Sequence, residues 1–210
     1  MKRRKLLITV SVIALIAAGT GIYVAPLMAD PAGDKDCGSV LPRPTGTRWV
    51  VSSSPSGPQW AQKGGTVNDA SCLSRTEVAG VVAVRRESDV AQALAFARDQ
   101  ELTVSAAGMK HSMGGHAFAP GGVVLDMRPL NSISLDPERR TVTVGAGATW
   151  HDIQNAIHPR FAVKAMQSTD IFTVGGSIAV NAHGMDHRAG ALMGSLRRMR
   201  VMLADGSVVT

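Results

Sequence analysis

Two glycine-bearing segments constrain the fold of this chain more than any other feature. The first glycine segment runs from Ala106 to His116 and reads AAGMKHSMGGH; the second runs from Thr173 to Gly184 and reads TVGGSIAVNAHG. Because glycine lacks a Cβ atom, backbone N–H groups in such segments can approach a bound anion closely. Each segment follows a stretch with strand character, and together they predict a cradle for the phosphates of a nucleotide. Two ordinary turns are the alternative interpretation.

The composition excludes several classes of protein. The chain has 210 residues, of which 45% are hydrophobic and 18% are charged, which is typical of a globular protein. The formal net charge is +6, but residues 2–5 are all lysine or arginine and supply much of it. A second basic cluster at residues 197–200 alternates with apolar residues in a predicted strand. We therefore expect no nucleic-acid partner.

The N-terminus has the pattern of a targeting segment. A basic head at residues 1–5 is followed by a run from Leu6 to Met28 without a charged side chain. Residues 1–29 are thus predicted to form a signal peptide or an N-terminal membrane anchor, and the length of the run favours the anchor. The rest of the chain is expected to be exported, to the periplasm or the extracytoplasmic face of the inner membrane.

The two cysteines, Cys37 and Cys72, lie in a Pro/Gly/Ser-rich leader at residues 30–77. In an oxidising compartment a disulfide between them is the economical interpretation; it would close a loop of roughly 35 residues and contribute about 3–4 kcal/mol. Two unpaired thiols are the alternative. Neither cysteine is near the glycine segments in sequence, so a catalytic thiol is not expected.

From residue 78 onward the hydrophobic periodicity predicts an α+β fold. Val78–Val84 and Leu102–Ser105 have the pattern of strands, joined by a helix capped by Ser88. The first glycine segment then lies at the end of a β-α-β unit, where ligand crevices commonly form. Further along, the pattern predicts strands at 122–126, 133–135, 141–145 and 162–166, a helix with a Thr149–Asp152 capping box, and a hairpin around Asp205-Gly206.

Five motifs follow one another in a specific order between Val78 and Thr210. They are VSAAGMKHSMGG at 104–115, VVLDMRPLN at 123–131, TVTVGAGATW at 141–150, TVGGSIAVNAHG at 173–184 and ADGS at 204–207. In this order and spacing they resemble the FAD domain of the vanillyl-alcohol oxidase / p-cresol methylhydroxylase superfamily, and within it the branch of decaprenylphosphoryl-ribose, aldonolactone and alditol oxidases. The resemblance implies the two-subdomain FAD-binding fold of that superfamily, which is not a Rossmann fold.

The same resemblance implies a binding role for both segments. The first would hold the FAD diphosphate through its amides and the Ser112 hydroxyl; its candidate residues are Ala106, Ala107, Gly108, Met109, Lys110, His111, Ser112, Met113, Gly114, Gly115 and His116. The second would line the pyrophosphate, ribityl and isoalloxazine parts of the cofactor; its candidates are Ser168, Thr169, Thr173, Val174, Gly175, Gly176, Val180, Asn181, Ala182 and His183.

Three of these residues leave alternatives open. His111 matches the position that several members link covalently to the flavin 8α-methyl group, but a histidine there can also simply hydrogen-bond a phosphate or the ring. Lys110 replaces the glycine often found before this histidine, and its ammonium can instead meet a phosphate. His183 either contacts the flavin or is a buried histidine bonded to backbone. No metal site is expected, because His183 and His187 lack a recognisable third ligand.

The implied activity is that of an exported flavin-dependent oxidoreductase. It would oxidise a CH–OH group of a small-molecule sugar, lactone or polyol by hydride transfer to flavin N5. No catalytic residue, electron acceptor or individual substrate can be assigned. In the family a substrate domain follows, so residues 78–210 are expected to be the N-terminal portion of an FAD domain that is incomplete at its C-terminus. The alternatives are a non-catalytic remnant that binds flavin or a partner protein, and a nucleotide-sugar binder without flavin chemistry.

Overall fold

The computed structural model describes residues 57–210. The predicted targeting segment, the first part of the leader and Cys37 lie outside the described residues, so export and the Cys37–Cys72 disulfide stay predictions. Within residues 57–210, no helix is both long enough and apolar enough to cross a membrane. In chain order the elements are β1 (Trp60–Lys63), β2 (Thr66–Val67), β3 (Thr76–Glu77), β4 (Gly80–Ala83), α1 (Glu87–Asp99), β5 (Val104–Ala107), β6 (Val123–Asp126), β7 (Ile133–Asp136), β8 (Thr141–Val144), α2 (Trp150–Ile157), α3 (Val174–Ala179), a 3₁₀ turn (Leu192–Ser195), β9 (Val201–Met202) and β10 (Val208–Val209).

A four-stranded sheet with the order β1-β4-β6-β5 contains the predicted β-α-β unit. Strands β4, β6 and β5 are parallel, and β1 runs antiparallel to β4. Val82 of β4 and Ala106 of β5 both pair with Leu125 of the central strand β6. Parallel strands are usually covered on both faces, which accounts for their runs of buried valine. The first glycine segment leaves the carboxyl end of β5, the edge at which ligands bind in such sheets.

Two buried clusters cover the two faces of this sheet. Successive strand residues point to opposite faces, so Val82 belongs to one cluster and Val81 to the other. The first cluster also contains Ala93 and Ala97 of α1. On the same side, the Trp60 ring of β1 packs edge-on against Phe96 of α1, with ring centroids 5.3 Å apart.

The four-stranded sheet includes residues that precede the predicted domain boundary at residue 78, and the boundary itself stays a prediction. Strand β1 lies in the predicted leader, yet it pairs with β4 and its Trp60 is 6% exposed. Strands β2 and β3 pair with each other, with Val67 opposite Thr76. The sheet therefore begins before Val78. Nothing in the sequence indicated these strands, because they are short, lie in a Pro/Gly/Ser-rich stretch, and in the case of β1 pair with a strand further along the chain.

A third buried cluster lies further along the chain and contains helices α2 and α3. Its buried members are Ala148, Trp150, Ile153, Ile157, Val174 and Leu192, and side chains of β7 and β8 pack against it. Strands β7 and β8 are antiparallel, with Leu135 opposite Val142. Helix α2 begins with the predicted capping box: Thr149 Oγ1 accepts the Asp152 amide at 3.1 Å and donates to the Asp152 carboxylate at 2.7 Å. The mixed helix and strand content agrees with the predicted class, and the division into two subdomains stays a prediction.

Three local predictions differ from the structure. Helix α1 is capped at Arg86, not Ser88, because the Asp89 carboxylate accepts the amides of Arg85 and Arg86 at 2.8 and 3.1 Å. Residues 162–166 do not form a strand; their apolar side chains pack on the third cluster without pairing. The second glycine segment accordingly does not leave a strand and instead starts helix α3. The predicted C-terminal hairpin is present, with Met202 opposite Val208 around the Asp205-Gly206 turn.

Candidate functional site

The two glycine segments, although distant in sequence, lie against each other. A Cβ atom added to Gly108 would stand 2.1 Å from Thr173 Oγ1, so the backbone of the first segment approaches the side chain that begins the second. The His111 ring meets Phe172 edge-on, with ring centroids 5.1 Å apart and planes at 80°. The fold therefore brings the two candidate segments into one site.

Helix α3 holds the second segment against residues 146–148. The amide of Val174 donates to the Ala148 carbonyl, and that of Gly175 donates to the Ala146 carbonyl, both at 2.9 Å. A Cβ atom on Gly175 would lie 3.0 Å from the Cβ of Ala146. Small residues are thus required on both sides of this contact. Gly145 and Gly147 face other backbone, since an added Cβ atom would stand 2.2 Å from the Leu130 carbonyl oxygen and 1.8 Å from the Met127 carbonyl oxygen, respectively.

The first segment turns by means of left-handed backbone. Gly114 and Gly115 have φ values of 107° and 79°, a region that favours glycine. Lys110 also has a positive φ, of 58°, although it is not glycine. Lys110 therefore has a strained left-handed backbone at a position where glycine would be favoured.

His111 is half-buried, and both of its ring contacts orient the imidazole. Its Nδ1 lies 2.7 Å from the Met109 carbonyl oxygen. Because a carbonyl only accepts hydrogen bonds, Nδ1 carries the proton in a neutral ring and Nε2 keeps its lone pair. With Phe172 against the ring, the side chain is held in one orientation, as a residue that reacts with or orients a cofactor must be.

The amides at residues 112–115 divide into two sets. Those of Ser112 and Met113 donate to no acceptor among residues 57–210, and both residues are exposed. Those of Gly114 and Gly115 each donate to Oδ2 of Asp69, at 2.8 Å. The amides throughout residues 106–116 were expected to bind diphosphate. Those of Gly114 and Gly115 are not available for it, because they already donate to the Asp69 carboxylate.

Asp69 is ionised at physiological pH. Burial raises the pKa of this carboxyl, but hydrogen bonds from the Ser71 hydroxyl and from the amides of Gly115, Ser71 and Gly114 outweigh that effect and lower its pKa from 3.8 to about 2. The side chain is 2% exposed. The amides thus face a full negative charge, which strengthens each hydrogen bond relative to one with a neutral acceptor.

The remaining candidates of the second segment have mostly structural contacts. Asn181 Oδ1 accepts the Met193 amide at 3.1 Å, and Ala182 accepts the Leu192 amide through its carbonyl at 2.8 Å. His183 is exposed and not buried, with Nδ1 3.1 Å from the Gly184 carbonyl oxygen. Val180 is 68% exposed. Ser168, Thr169 and His116 are exposed as well.

Ser177 joins the second segment to helix α2. Its hydroxyl oxygen lies 3.0 Å from the indole nitrogen of Trp150 and 3.0 Å from the Thr173 carbonyl oxygen, and it also contacts Gln167. Ser177 is 1% exposed. The sequence offered no signal for this role, because a serine one turn into a glycine-rich helix looks like any small residue.

We expect Ser177→Ala to lower the free energy of unfolding by about 0.5–1.5 kcal/mol, the usual net contribution of a hydrogen bond. The hydroxyl is lost, but the Trp150 indole still donates to Gln167 and the Thr173 carbonyl still accepts the Ser177 amide. Urea unfolding followed by tryptophan fluorescence measures this. Ser132→Ala is the matched control, since Ser132 is exposed. Equal stability of the two variants would contradict the proposed network.

Other residues that sequence reasoning missed are Asp69, Phe172 and the stretch 146–148. A local signal existed for Asp69: the sequence Asn68-Asp69-x-Ser71 is typical of a side-chain-stabilised turn. Nothing local connected that turn to Gly114. Among residues 57–210, no three histidine, cysteine, aspartate or glutamate side chains gather as a metal-ligand set.

The chemistry of these donors suits the diphosphate of FAD. Exposed amides at Ser112 and Met113, a neighbouring hydroxyl and left-handed glycine backbone are the groups that bind phosphate oxygens. The close packing of Gly108 on Thr173 lets both segments approach one ligand.

Comparison with known proteins agrees with this geometry. Residues 78–210 match the family described as FAD binding domain. The chain is 32% identical over 136 residues to the FAD-linked oxidoreductase fogF of Aspergillus ruber, covering 63% of this chain and 27% of that protein. It is 37% identical over 108 residues to decaprenylphosphoryl-β-D-ribose oxidase of Mycolicibacterium smegmatis, covering 50% and 24%.

An alditol oxidase of Streptomyces sp. is 32% identical over 113 residues, covering 50% of this chain and 27% of that protein. The chain thus spans about a quarter of the length of these relatives. Among solved structures, the fold matches the Phl p 4 N158H variant, a glucose dehydrogenase, with a TM-score of 0.59 at 19% identity, over 64% of this chain and 29% of that chain.

The family match covers most of the chain and contains both glycine segments. The predicted resemblance is therefore confirmed, and FAD is the cofactor of the family. The chain belongs to the FAD-binding domain family, with relatives among the flavoenzymes of the vanillyl-alcohol oxidase / p-cresol methylhydroxylase superfamily.

Proposed function

We propose that this chain is the FAD-binding part of an exported oxidoreductase that oxidises a CH–OH group of a sugar, lactone or polyol. The observation that carries the proposal is the junction of the two glycine segments at Gly108 and Thr173, with His111 oriented beside it. The substrate class is supported by the names of two relatives, an alditol oxidase and a decaprenylphosphoryl-ribose oxidase. Export is supported by the basic and apolar residues of 1–29.

In this proposal the chain binds and orients the cofactor. The amides of Ser112 and Met113 and the Ser112 hydroxyl hold the diphosphate, and the second segment lines the rest of the cofactor. When bound, FAD supplies the acceptor for a hydride leaving the carbinol carbon of the substrate. The base that takes the hydroxyl proton is not assigned to a residue.

His111 is the proposed point of covalent attachment. The attachment would join an imidazole nitrogen to the flavin 8α carbon. Forming this bond would remove one hydrogen from the imidazole nitrogen and one from the 8α carbon. Together they would reduce the flavin by two electrons, and dioxygen would then reoxidise it. A covalent link prevents loss of the cofactor outside the cell, where replacement FAD is scarce. The fixed ring orientation, through Met109 and Phe172, supports this role.

The test is an absorbance spectrum of the purified full chain, in detergent, after incubation with FAD and removal of unbound FAD by gel filtration, before and after acid precipitation. We expect the two visible bands of oxidised flavin in the native sample and flavin in the precipitated pellet. Flavin in the supernatant would contradict the covalent link and leave FAD binding intact. A folded, colourless protein would overturn the proposed function.

A further inference from the structure

A buried carboxylate lies next to the candidate cofactor site and belongs to none of the motifs that define the family match. Asp69 is part of a turn, residues 68–74, that we call the clamp turn. Its Oδ2 accepts the amides of Gly114 and Gly115, each at 2.8 Å. Its Oδ1 accepts the Ser71 amide at 2.9 Å and the Ser71 hydroxyl. In the described part of the chain, the hydrogen-bond donors to this carboxylate are three backbone amides and one hydroxyl, all of them neutral.

The clamp turn also grips the first glycine segment on the other side of His111. The Ala70 amide donates to the Lys110 carbonyl oxygen at 2.9 Å. The clamp turn therefore fixes Lys110 and Gly114–Gly115, and the residues between them, which include His111 and Ser112, form a short arch with both ends tied. The Ala70 amide of the clamp turn thus binds one end of the arch, and the Asp69 carboxylate binds the other.

Asn68 keeps the clamp turn itself in shape. Its side chain is 0% exposed, and Oδ1 accepts the amides of Asp69 and Ser74 at 3.0 and 3.1 Å. Ser74 in turn lies under Gly115, where an added Cβ atom would meet the Ser74 Cβ at 3.1 Å. These buried contacts hold the clamp turn in one conformation against the first glycine segment.

Two successive amides at Gly114 and Gly115 form the kind of concave site that binds anions. Had the turn left them open, a phosphate oxygen could take them. Asp69 occupies them instead, so within residues 112–115 the preceding amides of Ser112 and Met113, which donate to no acceptor among residues 57–210, remain for a diphosphate.

We propose that Asp69 is a positioning residue of the flavin site: its carboxylate fixes the arch of residues 110–115, so that Ser112 and Met113 meet the diphosphate and His111 meets the flavin. This inference rests on the proposed function. It assigns Asp69 no contact with the cofactor and makes cofactor affinity depend on a residue outside the family motifs.

The experiment compares full-length Asp69→Asn with wild type and with Asp136→Asn. Asp136 is the matched control because its carboxylate also accepts two backbone amides, those of Glu138 and Arg139 at 3.1 and 3.0 Å, in the β7–β8 turn. Reversible FAD binding, the step before any covalent bond forms, is measured by flavin fluorescence titration of the apo chain, and backbone mobility by hydrogen exchange of the same apo chain. For Asp69→Asn we expect at least a tenfold loss of FAD affinity, with faster exchange confined to peptides covering residues 68–74 and 108–116. Asp136→Asn should keep wild-type affinity.

Ser71→Ala is the milder second variant, since it removes one donor to Asp69 and keeps the charge; we expect a smaller loss of affinity in the same direction. It decides the matter if Asp69→Asn does not fold. Wild-type affinity in whichever variant folds would overturn the proposal. Faster exchange across the whole chain, in parallel with the loss of affinity, would overturn it too, because Asp69 would then support the fold in general. A wild-type chain that retains no flavin would overturn the proposed function and this inference with it.

Discussion

Gly108→Ala is expected to abolish tight FAD binding by the full chain. The added Cβ atom would stand 2.1 Å from Thr173 Oγ1 and 3.0 Å from both Thr173 Cβ and Cγ2. Thr173 is 3% exposed, and its carbonyl accepts hydrogen bonds from the amide and hydroxyl of Ser177, so it cannot simply move aside. The two glycine segments must separate. We expect at least a hundredfold loss of FAD affinity in fluorescence titration.

The same change should cost stability in the apo chain. Overpacking of this kind typically destabilises by about 1–3 kcal/mol, which corresponds to roughly 2–4 °C of melting temperature per kcal/mol in a chain of this size. Gly194→Ala is the matched control, because Gly194 has no atom within 4 Å of an added Cβ and no left-handed φ. Thr173→Ala combined with Gly108→Ala should restore part of the lost stability. If Gly108→Ala and Gly194→Ala bind FAD equally well, the two segments do not meet as described.

Features with local signals could be predicted from the sequence. The Thr149–Asp152 capping box and the Asp205-Gly206 hairpin each depend on a few adjacent residues, and both are present. The β-α-β unit also followed from hydrophobic period alone. For the same reason the first glycine segment was placed correctly at the carboxyl end of β5.

Features that depend on distant partners could not be predicted this way. Strand β1 was missed because its four residues lie in a Pro/Gly/Ser-rich stretch and are too few to show a hydrophobic period. Only the pairing with β4 reveals the strand. Residues 162–166 were predicted to form a strand, but Val163 and Met166 pack on the third cluster and the stretch pairs with no other strand. Asp69 is the sharpest case: its turn has a local signature, yet its role comes from Gly114 and Gly115, far along the chain.

The candidate site shows the same division. Glycine content indicated which segments are candidates for cofactor binding but not which acceptors their amides bind. In the structure the amides of Gly114 and Gly115 donate to Asp69, while Ser112 and Met113 are exposed. Asn181 was a candidate for a flavin contact by its position in the motif, yet its side chain accepts the Met193 amide. Hydrogen-bond partners such as Asp69 and Asn181 lie far in sequence from the amides that they accept, so the sequence alone does not reveal them.

His111→Ala is expected to remove all covalently bound flavin from the full chain while leaving FAD binding by the diphosphate cradle in place. The imidazole is the nucleophile in the proposed attachment, and alanine offers none. Flavin should move entirely from the acid-precipitated pellet to the supernatant. We expect the reversible affinity for FAD, measured before any covalent bond forms, to fall by no more than about tenfold, or about 1.4 kcal/mol, because the amides of Ser112 and Met113 are unchanged.

Two further variants separate attachment from orientation at this position. His111→Asn keeps a side-chain N–H that can donate to the Met109 carbonyl, as Nδ1 does now, but cannot form the bond to flavin. It should therefore bind FAD better than His111→Ala and still release it on acid treatment. His187→Ala, an exposed histidine elsewhere in the chain, should keep flavin in the pellet. Flavin retained in the pellet of His111→Ala would mean that another residue forms the link, and flavin released from the wild-type chain would leave His111 with the hydrogen-bonding role alone.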